Sequence, residues 1–416
     1  MAREARYGAR NYAPLPVVLV RGAGVHLFDT DGRRYLDMMS AYSAASFGHL
    51  HPRLVDALKA QLGRLDLVSR AYHIDGLGAF CEELAKLAGL ERCLPMNTGA
   101  EAVETAIKAA RRYGYEHLEI PEDRAEIIVA QGNFHGRTTT IIGFSSEASN
   151  RRGFGPFAPG FVSVPFGDAA AAAAAITPRT AAVLVEPVQG EAGIIVPPAG
   201  YLAELRRICD RRGILLIFDE VQSGLGRTGR NFCFEHEAAR PDGLILGKAL
   251  GGGLLPVSAL VGTQALMAVF DPGSHGSTFG GNPLAVAVGR EAMRLLVEEE
   301  LAARSARLGT VLLDELRRID HPAIRDVHGR GLWAGVELDA GIAPAKDVCL
   351  AMARRGVLTK DTHETVIRFA PPLVIEENDL LEAVAVFAAA VAEVAARRSP
   401  EQTSQPAAAA ALNTMA

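Results

Sequence analysis

The feature that most constrains this chain is a repeated alternation between short aliphatic runs and stretches with helical periodicity. Runs that are apolar along most of their length are typical of strands covered on both faces. Their alternation with helices predicts an α/β protein. We expect strands at residues 126–130, 181–186, 215–219, 243–246 and 258–262.

The segments between these runs have the apolar spacing of helices. We expect helices at residues 52–65, 77–88, 100–115, 200–212, 283–298 and 376–397. The alanine run at 169–175 is also predicted to be helical, because alanine loses no side-chain entropy in a helix. Residues 398–416 have no periodicity, so we predict a disordered tail there.

Charge and cysteine usage exclude several classes of protein. The 43 basic and 48 acidic residues are mixed along the chain, so no basic stripe predicts a nucleic-acid partner. The cysteines number five and form no CxxC pair, which favours reduced thiols. No apolar run reaches the roughly 20 residues that span a bilayer, and the N-terminus lacks a secretory signal. We therefore expect a cytoplasmic protein without a membrane partner.

Lys248 is the first candidate for chemistry, because it follows an apolar run and precedes small residues and glycines. Burial lowers the pKa of an amine, and a neutral amine can form a Schiff base with an aldehyde. Taken alone, however, this pattern favours an exposed lysine in a flexible glycine turn.

Asp219 changes that balance, because it ends the apolar run at 214–218. The carboxyl ends of buried strands are where α/β folds place their ligands. A carboxylate there suits a pyridoxal phosphate enzyme, which needs a protonated pyridine nitrogen as an electron sink. A helix-capping aspartate is the structural alternative, but with Lys248 one strand later the cofactor role is the better interpretation.

Two segments rich in glycine and hydroxyl groups precede predicted helices, at residues 97–102 and 275–282. Free N–H groups at a helix N-terminus, together with a hydroxyl, suit a phosphate. Alone, each segment is more simply explained by an N-cap. Together with Asp219 and Lys248 they form a set that predicts a phosphate-bearing cofactor.

Several motifs resemble a known family, the class III, fold-type-I aminotransferases. They are NTGAEAVETA (97–106), IFDEVQSGLGRTG (217–229), LGKALGGG (246–253) and HGSTFGGNPLA (275–285). Further stretches are similar to one branch of that family, the ornithine δ-aminotransferases: YGARNYAPLP (7–16), GEAG (190–193) with VPP (196–198), and IRFAPPL (367–373). The resemblance extends from about residue 7 to about residue 396.

The resemblance implies pyridoxal 5′-phosphate as the cofactor. Lys248 would bind its aldehyde and then act as general base, and Asp219 would pair with the pyridine nitrogen. Gln222 would lie near the ring oxygen. Phe134 and Val221 would cover the two faces of the ring. Without the family, we would place Phe134 in the core.

The same resemblance assigns the phosphate to two loops. Thr98, Gly99 and Ala100 would hold it from within the chain. Ser277 and Thr278 belong to the second loop, and Thr278 would reach the phosphate bound by the neighbouring subunit. The resemblance thus implies a homodimer with shared active sites. It implies no metal.

For the substrates, the resemblance implies that Arg368 binds the α-carboxylate of glutamate or 2-oxoglutarate and Arg137 the far carboxylate. Arginine suits both tasks because its fork pairs with a carboxylate through two hydrogen bonds. Glu191 would cover Arg368 while ornithine is bound. Tyr42 would then hold the α-amino and carboxylate groups of ornithine, with Tyr72 as a second wall.

The implied reaction moves the δ-amino group of L-ornithine to 2-oxoglutarate by a ping-pong mechanism. Its products are glutamate and glutamate 5-semialdehyde, which cyclises to pyrroline-5-carboxylate. The alternative is another class III ω-aminotransferase, acting on N-acetylornithine, lysine or 4-aminobutyrate. A non-catalytic protein of the same fold is the rival from another class, and the presence of Lys248, Asp219 and Arg368 argues against it. His135, where ornithine enzymes often carry Trp, and Phe47, in place of a polar residue, depart from the family pattern.

The fold implied by the resemblance is a central, mostly parallel sheet in an α/β/α sandwich with a smaller α+β lobe. We expect the large domain to cover residues 48–300. The lobe would combine residues 1–47 and 301–397. The active site would lie between the two and across the dimer interface.

Overall fold

The computed structural model describes residues 1–398, and residues 399–416 lie outside the described part. The strands are β1 (Leu19–Ala23), β2 (His26–Asp29), β3 (Arg34–Asp37), β4 (Arg92–Met96), β5 (Glu126–Ala130), β6 (Phe161–Val164), β7 (Thr180–Val185), β8 (Leu215–Asp219), β9 (Gly243–Leu246), β10 (Ser258–Gly262), β11 (Ile324–Gly329), β12 (Ala334–Leu338), β13 (Val357–Leu358), β14 (Asp361–Thr362) and β15 (Val366–Phe369).

The helices are α1 (Ala2–Tyr7), α2 (Ser40–Ser43), α3 (Pro52–Leu62), α4 (Leu77–Ala88), α5 (Gly99–His117), α6 (Thr139–Gly143), α7 (Ala148–Arg151), α8 (Ala169–Ala175), α9 (Tyr201–Arg212), α10 (Gln264–Met267), α11 (Pro283–Glu298), α12 (Leu301–Arg317), α13 (Ala345–Arg354) and α14 (Glu377–Arg398). Short 3₁₀ turns lie at Cys233–His236 and Lys248–Gly251.

The central sheet has seven strands in the order β4-β10-β9-β8-β7-β5-β6. Its strands run parallel except β10, which is antiparallel to both of its neighbours. The five strands expected from the sequence all lie in this sheet, and only β7 is displaced, by one residue. The α/β class and the mostly parallel sheet are confirmed.

Alternate side chains of β8 show how the sheet is covered on both faces. Leu216 and Phe218 belong to a core cluster that includes residues of α9, whereas Leu215 and Ile217 belong to a cluster that includes residues of α5. Because side chains alternate along a strand, Asp219 continues the row that faces α5. The end of the strand therefore presents its carboxylate on the side where α5 begins.

Two smaller sheets come from the chain ends. One has the order β1-β2-β3-β13 and the other β11-β12-β15-β14. In the first, β13 runs parallel to β3 and joins the two ends of the chain. This arrangement is an α+β lobe beside the large sheet, as expected. The boundaries at residues 48 and 300 stay predictions.

The helix predictions hold, with small differences at the ends. Helices α4, α8 and α11 have the expected bounds, and α3 ends three residues earlier than expected, at Leu62. Arg398 is the last residue of α14, so the predicted tail began one residue too early. The rest of that tail lies outside the described residues. Within residues 1–398, no helix is long and apolar enough to cross a bilayer.

The turn α2, between β3 and α3, has an unusual backbone. The φ angles of Ser40, Ala41, Tyr42 and Ser43 are 41°, 48°, 59° and 71°, so all four residues are left-handed. This conformation costs a non-glycine residue roughly 1–2 kcal/mol. Such strain persists only where surrounding contacts over-determine it, and it concentrates at functional sites.

Candidate active site

Lys248 lies two residues beyond β9 and begins a 3₁₀ turn. Its φ of 44° is left-handed, so its backbone is strained. Burial lowers the pKa of the Lys248 amine, while the charges of Glu191, Asp219 and Glu186 raise it by smaller amounts. The alternative of an exposed lysine in a flexible turn is wrong.

The side chain of Lys248 lines a cavity of about 190 Å³. A cavity of about 150 Å³ can hold a benzene ring, so a single substituted aromatic ring fits here. The cavity brings together all the predicted cofactor residues except Thr98, Ser277 and Thr278. Its lining consists of Gly99, Ala100, Phe134, His135, Gly136, Glu186, Val188, Asp219, Val221, Gln222, Ser223 and Lys248.

Asp219 is held by two partners at the edge of the cavity. Its Oδ1 accepts the N–H of Val221 at 3.0 Å, so a turn-capping role coexists with its place in the site. Its Oδ2 lies 2.7 Å from Nδ1 of His135. Burial lowers the pKa of His135. The hydrogen bond to Asp219 and the charge of Asp219 together raise that pKa by more than burial lowers it, so the net shift is upward. His135 therefore holds the Asp219 carboxylate in place beside the cavity.

Helix α5 begins at the other side of the cavity. Thr98 is its N-cap and forms a capping box with Glu101, so the simple N-cap interpretation of Thr98 is correct. Among the described residues, no partner bonds the N–H groups of Gly99 and Ala100. Both residues line the cavity. The start of a 19-residue helix thus offers free donors and a positive dipole end to an anion.

Gly99 and Val221 are in close contact at the same place. A Cβ on Gly99 would lie 3.0 Å from Cγ1 of Val221, closer than side chains normally approach. Any other residue would displace Val221 by a few tenths of an ångström. The glycine thus lets the start of α5 and Val221 approach each other in the cavity wall.

Glu186 is the site residue that the sequence analysis missed. It follows β7 directly and is buried. Its Oε2 accepts the N–H of Phe134 at 2.9 Å, and its Oε1 accepts the N–H of Gly190 at 3.3 Å. Burial raises the pKa of Glu186 to about 7. The available signal was its position, since it ends a fully apolar strand as Asp219 does.

The predicted pair of Glu191 and Arg368 is present as a two-pronged ion pair. Nη1 and Nη2 of Arg368 donate to the two carboxylate oxygens of Glu191 at 2.9 Å and 2.8 Å. Gln222, from the cavity wall, donates to Glu191 at 3.3 Å. Burial raises the pKa of Glu191, but the hydrogen bond and charge of Arg368 lower it below its ordinary value. The pair therefore adjoins the cavity.

The remaining predicted substrate residues divide into two groups. The Tyr42 ring centre lies 5.4 Å from the guanidinium carbon of Arg368, so Tyr42 belongs to the site. Arg137 stands 5.5 Å from the ring centre of Phe134 and donates to Asn150. Tyr72 is 68% exposed and is not among the residues that line the cavity. Within one chain it forms no wall of the site.

Ser277 and Thr278 lie in a second, separate cavity. Ser277 accepts a hydrogen bond from Asn97 at 2.9 Å, which ties its loop to the start of α5. Thr278 and its neighbour Phe279 are exposed. Neither Ser277 nor Thr278 lines the cavity of Lys248 in its own chain.

Comparison with known proteins explains this arrangement. The family model for class-III aminotransferases matches residues 7–391. The chain belongs to the class-III aminotransferases. Ornithine aminotransferase from Halalkalibacterium halodurans is 54% identical over 375 residues, which cover 90% of this chain and 94% of that protein.

Solved structures of other class-III aminotransferases superimpose closely on the chain. The crystal structure of the ornithine aminotransferase from Toxoplasma gondii has a TM-score of 0.94 and 42% identity, covering 95% of each chain. The acetylornithine aminotransferase from Elizabethkingia anophelis has a TM-score of 0.85 and 42% identity, covering 94% of this chain and 98% of that one. The fold-type-I architecture is therefore confirmed.

Class-III aminotransferases use pyridoxal phosphate, and the residues of the cavity fit it. The free N–H groups at the start of α5 suit its phosphate. The carboxylate of Asp219 suits a protonated ring nitrogen. The amine of Lys248 suits its aldehyde. Each of the three groups of the cofactor has a matching partner around one cavity. Residues 1–398 contain no cluster of three or more side chains that could hold a metal ion.

Proposed function

We propose that this aminotransferase moves the δ-amino group of L-ornithine to 2-oxoglutarate. The products would be glutamate and glutamate 5-semialdehyde, which cyclises. One observation carries the proposal: Arg368, the group suited to an α-carboxylate, is already paired with Glu191 beside the cavity. An amino acid whose α-carboxylate cannot dock on Arg368 must present another amine to the site.

The cofactor would be held by residues on every side of the cavity. Asp219 would face the ring nitrogen, Phe134 and Val221 would pack on the two ring faces, and Gln222 would lie near the ring oxygen. Gly99 would offer its N–H to the phosphate. Pyridoxal phosphate, when bound, supplies an aldehyde that accepts an amine and a ring that accepts electrons.

Lys248 would move the proton. Burial lowers the pKa of its amine, so the amine can take a proton from the carbon that bears the substrate nitrogen and return it elsewhere. The carboxylates of Glu186, Glu191 and Asp219 limit that pKa shift by their charges.

Substrate exchange would depend on which partner of the ion pair can leave. The side chain of Arg368 is 3% exposed, whereas that of Glu191 is 28% exposed. Glu191 therefore has a path to water and Arg368 does not. With ornithine, Glu191 would stay in place and Tyr42 would contact the α-groups. With 2-oxoglutarate, Glu191 would withdraw, Arg368 would bind the α-carboxylate and Arg137 the other.

A substrate panel tests the proposal. The δ-semialdehyde of ornithine cyclises and reacts with o-aminobenzaldehyde, which gives a coloured product. We expect ornithine to be used at least 10-fold better, by kcat/KM, than lysine, 4-aminobutyrate or N-acetylornithine. The similarity to an acetylornithine aminotransferase makes N-acetylornithine the main competitor. A preference for it would overturn the assignment.

We also propose that the enzyme is a cytoplasmic homodimer in which Thr278 completes the partner's phosphate site. The exposure of Thr278 and Phe279 and the separate cavity lined by Thr278 support this. The five cysteines are all free thiols, which suits a reducing compartment. Thr278→Ala should weaken cofactor retention by about 10- to 100-fold, the scale of one hydrogen bond to a charged group.

Mixing two defective variants tests the shared site. After subunit exchange, Thr278→Ala with Lys248→Ala should form a heterodimer that has one complete site. Activity at limiting cofactor should then exceed the mean of the two separate variants. If Thr278 served its own chain, the heterodimer would contain no complete site and mixing would bring no gain.

A further inference from the structure

Arg227 is a buried arginine to which no role has yet been assigned. Its exposure is 0%, and no carboxylate among residues 1–398 lies within ion-pair distance of it. Burial lowers the pKa of its guanidinium to about 9, with the charge of Asp37 opposing that shift. A buried cation without an ion-pair partner is costly, so its hydrogen bonds must satisfy it.

The two terminal nitrogens of Arg227 serve different parts of the chain. Nη1 donates to the carbonyls of Leu332 at 2.9 Å and Pro371 at 2.7 Å. Nη2 donates to the hydroxyls of Ser46 at 2.9 Å and Ser40 at 3.3 Å. Nη1 therefore holds the C-terminal part of the lobe, and Nη2 holds the N-terminal segment that contains the left-handed turn α2.

Each serine passes the contact on to the backbone. The hydroxyl of Ser46 accepts from Arg227 and donates to the carbonyl of Ser43, at 2.9 Å, at the end of α2. The hydroxyl of Ser40 accepts from Arg227 and donates to the carbonyl of Ala370 at 2.7 Å. Arg227 thus clamps the first and last residues of the strained turn.

Ala370 follows β15, the strand that carries Arg368. Its N–H donates to the carbonyl of Met38 at 2.8 Å, so backbone and side-chain contacts both join the turn to the end of this strand. Tyr42 lies in the middle of the turn, with its ring over the Arg368 guanidinium. The relative placement of Tyr42 and Arg368 therefore depends on this clamp.

We propose that Arg227 is a positioning residue that selects for ornithine by fixing Tyr42 over Arg368. The inference rests on the proposed function, because Tyr42 there contacts the α-groups of ornithine. Only arginine can fill the role, since its planar fork reaches acceptors in two directions at once. Lysine would concentrate its donors on one nitrogen and leave either turn α2 or the C-terminal part of the lobe without support.

Ser46→Ala is the sharpest test, because it removes the Nη2 contact that is relayed to Ser43 and leaves the contacts to Ser40 and those of Nη1 in place. Ser46 lies outside the left-handed run, so alanine does not alter the preference of the turn itself. We expect KM for ornithine to rise about 10-fold, within the scale of a buried hydrogen bond to a charge. The half-reaction with glutamate should change less than about threefold.

Ser43→Ala is the matched control, because the same turn already holds an alanine, Ala41, in the left-handed conformation. Its hydroxyl is buried in the same turn and has no partner among the described residues. Both half-reactions of this variant should match those of the unmodified enzyme. Arg227→Lys provides a second variant, in which the loss should again fall mainly on ornithine KM provided that thermal unfolding shows a folded protein.

Three results would overturn the proposal: an unchanged ornithine KM in Ser46→Ala, an equal loss in both half-reactions, or an equal effect of Ser43→Ala. Failure of the proposed function would look different. In that case the unmodified enzyme itself would not use ornithine, whatever the serine variants did.

Discussion

The cofactor floor and the substrate wall of the site are built in opposite ways. The cofactor floor consists of Glu186, Asp219 and Lys248, which follow or end the neighbouring strands β7, β8 and β9 of one sheet. The substrate wall consists of Tyr42, Glu191 and Arg368. These come from a strained turn, a loop after β7 and a strand of another sheet.

The difference lies in whether a side chain can change its partners. On the floor, Asp219 and Glu186 each accept a backbone N–H that stays fixed with the sheet. On the wall, Arg368 binds the carboxylate of Glu191, whose side chain is 28% exposed and which we propose a ligand carboxylate replaces. The fixed region suits one permanent cofactor, and the exchangeable region suits two alternating substrates.

Removing the amine of Lys248 from the cofactor floor should have the largest effect on activity. Lys248→Ala should abolish transamination, with a loss at the upper end of the roughly 10²–10⁴-fold that general acid–base groups contribute, while the fold is retained. Borohydride reduction of the native enzyme should label one lysine peptide, that of Lys248. The exposed Lys59→Ala variant is the control and should keep both label and activity. A label elsewhere would refute the assignment.

Neutralising the carboxylate of Asp219 should have the next largest effect on activity. Asp219→Asn keeps the shape but no longer favours a protonated ring nitrogen. We expect the chemical step to slow by on the order of 10²–10³-fold, the scale of one preorganised electrostatic contact, with a smaller loss of cofactor retention. Asp168→Asn is the control, because Asp168 only caps α8. If both variants turned over normally, Asp219 would be no more than a cap.

Breaking the wall should separate the two half-reactions. Glu191→Ala leaves the buried guanidinium of Arg368 uncompensated, which costs about 3–5 kcal/mol and frees it for any α-carboxylate. We expect the ornithine half-reaction to slow by about 10- to 100-fold and the glutamate half-reaction to be kept or improved. Single-turnover absorbance measurements can follow each half. An equal loss of rate in both half-reactions would refute the proposal that Glu191 controls access to Arg368.

The smallest expected effect concerns the stability of the folded protein. It tests whether the buried Glu186 contributes to the stability of the cofactor floor. Its pKa of about 7 lies above the 4.5 of an exposed glutamate, so the folded state binds the proton more tightly. That contribution is full below pH 4.5 and is lost as the pH rises through about 7. Between about pH 6 and pH 8 the free energy of unfolding of the unmodified enzyme should fall by about 1 kcal/mol more than that of Glu186→Gln. Denaturant unfolding of both proteins at each pH measures this difference. An equal fall in the free energy of unfolding of the two proteins over this pH range would contradict the prediction.

The same contrast explains what the sequence could predict. The floor follows from apolar runs that end in Asp219 or precede Lys248, because parallel strands bring their carboxyl ends to one edge. The wall came only from family resemblance. The left-handed turn at 40–43 has the sequence Ser-Ala-Tyr-Ser, with no glycine or asparagine to signal it. Long-range contacts, including those of Arg227, impose that conformation.

The small sheets were harder to predict for another reason. The residues of β1 are mostly exposed, and β13 has only two residues, so neither has a clear periodic pattern. Tyr72 was assigned from the family, yet it is exposed in the single chain.

The parallel pairing of β3 with β13 has a consequence for biosynthesis. Leu36 pairs with Val357, about 320 residues later. During translation the N-terminal hairpin must leave the ribosome with an unpaired edge and wait until nearly the whole chain has followed. Contacts of such long sequence separation form slowly, and open strand edges invite aggregation. The lobe that carries Arg368 therefore cannot be completed until residue 357 has been synthesised, and its open edge is exposed to aggregation until then.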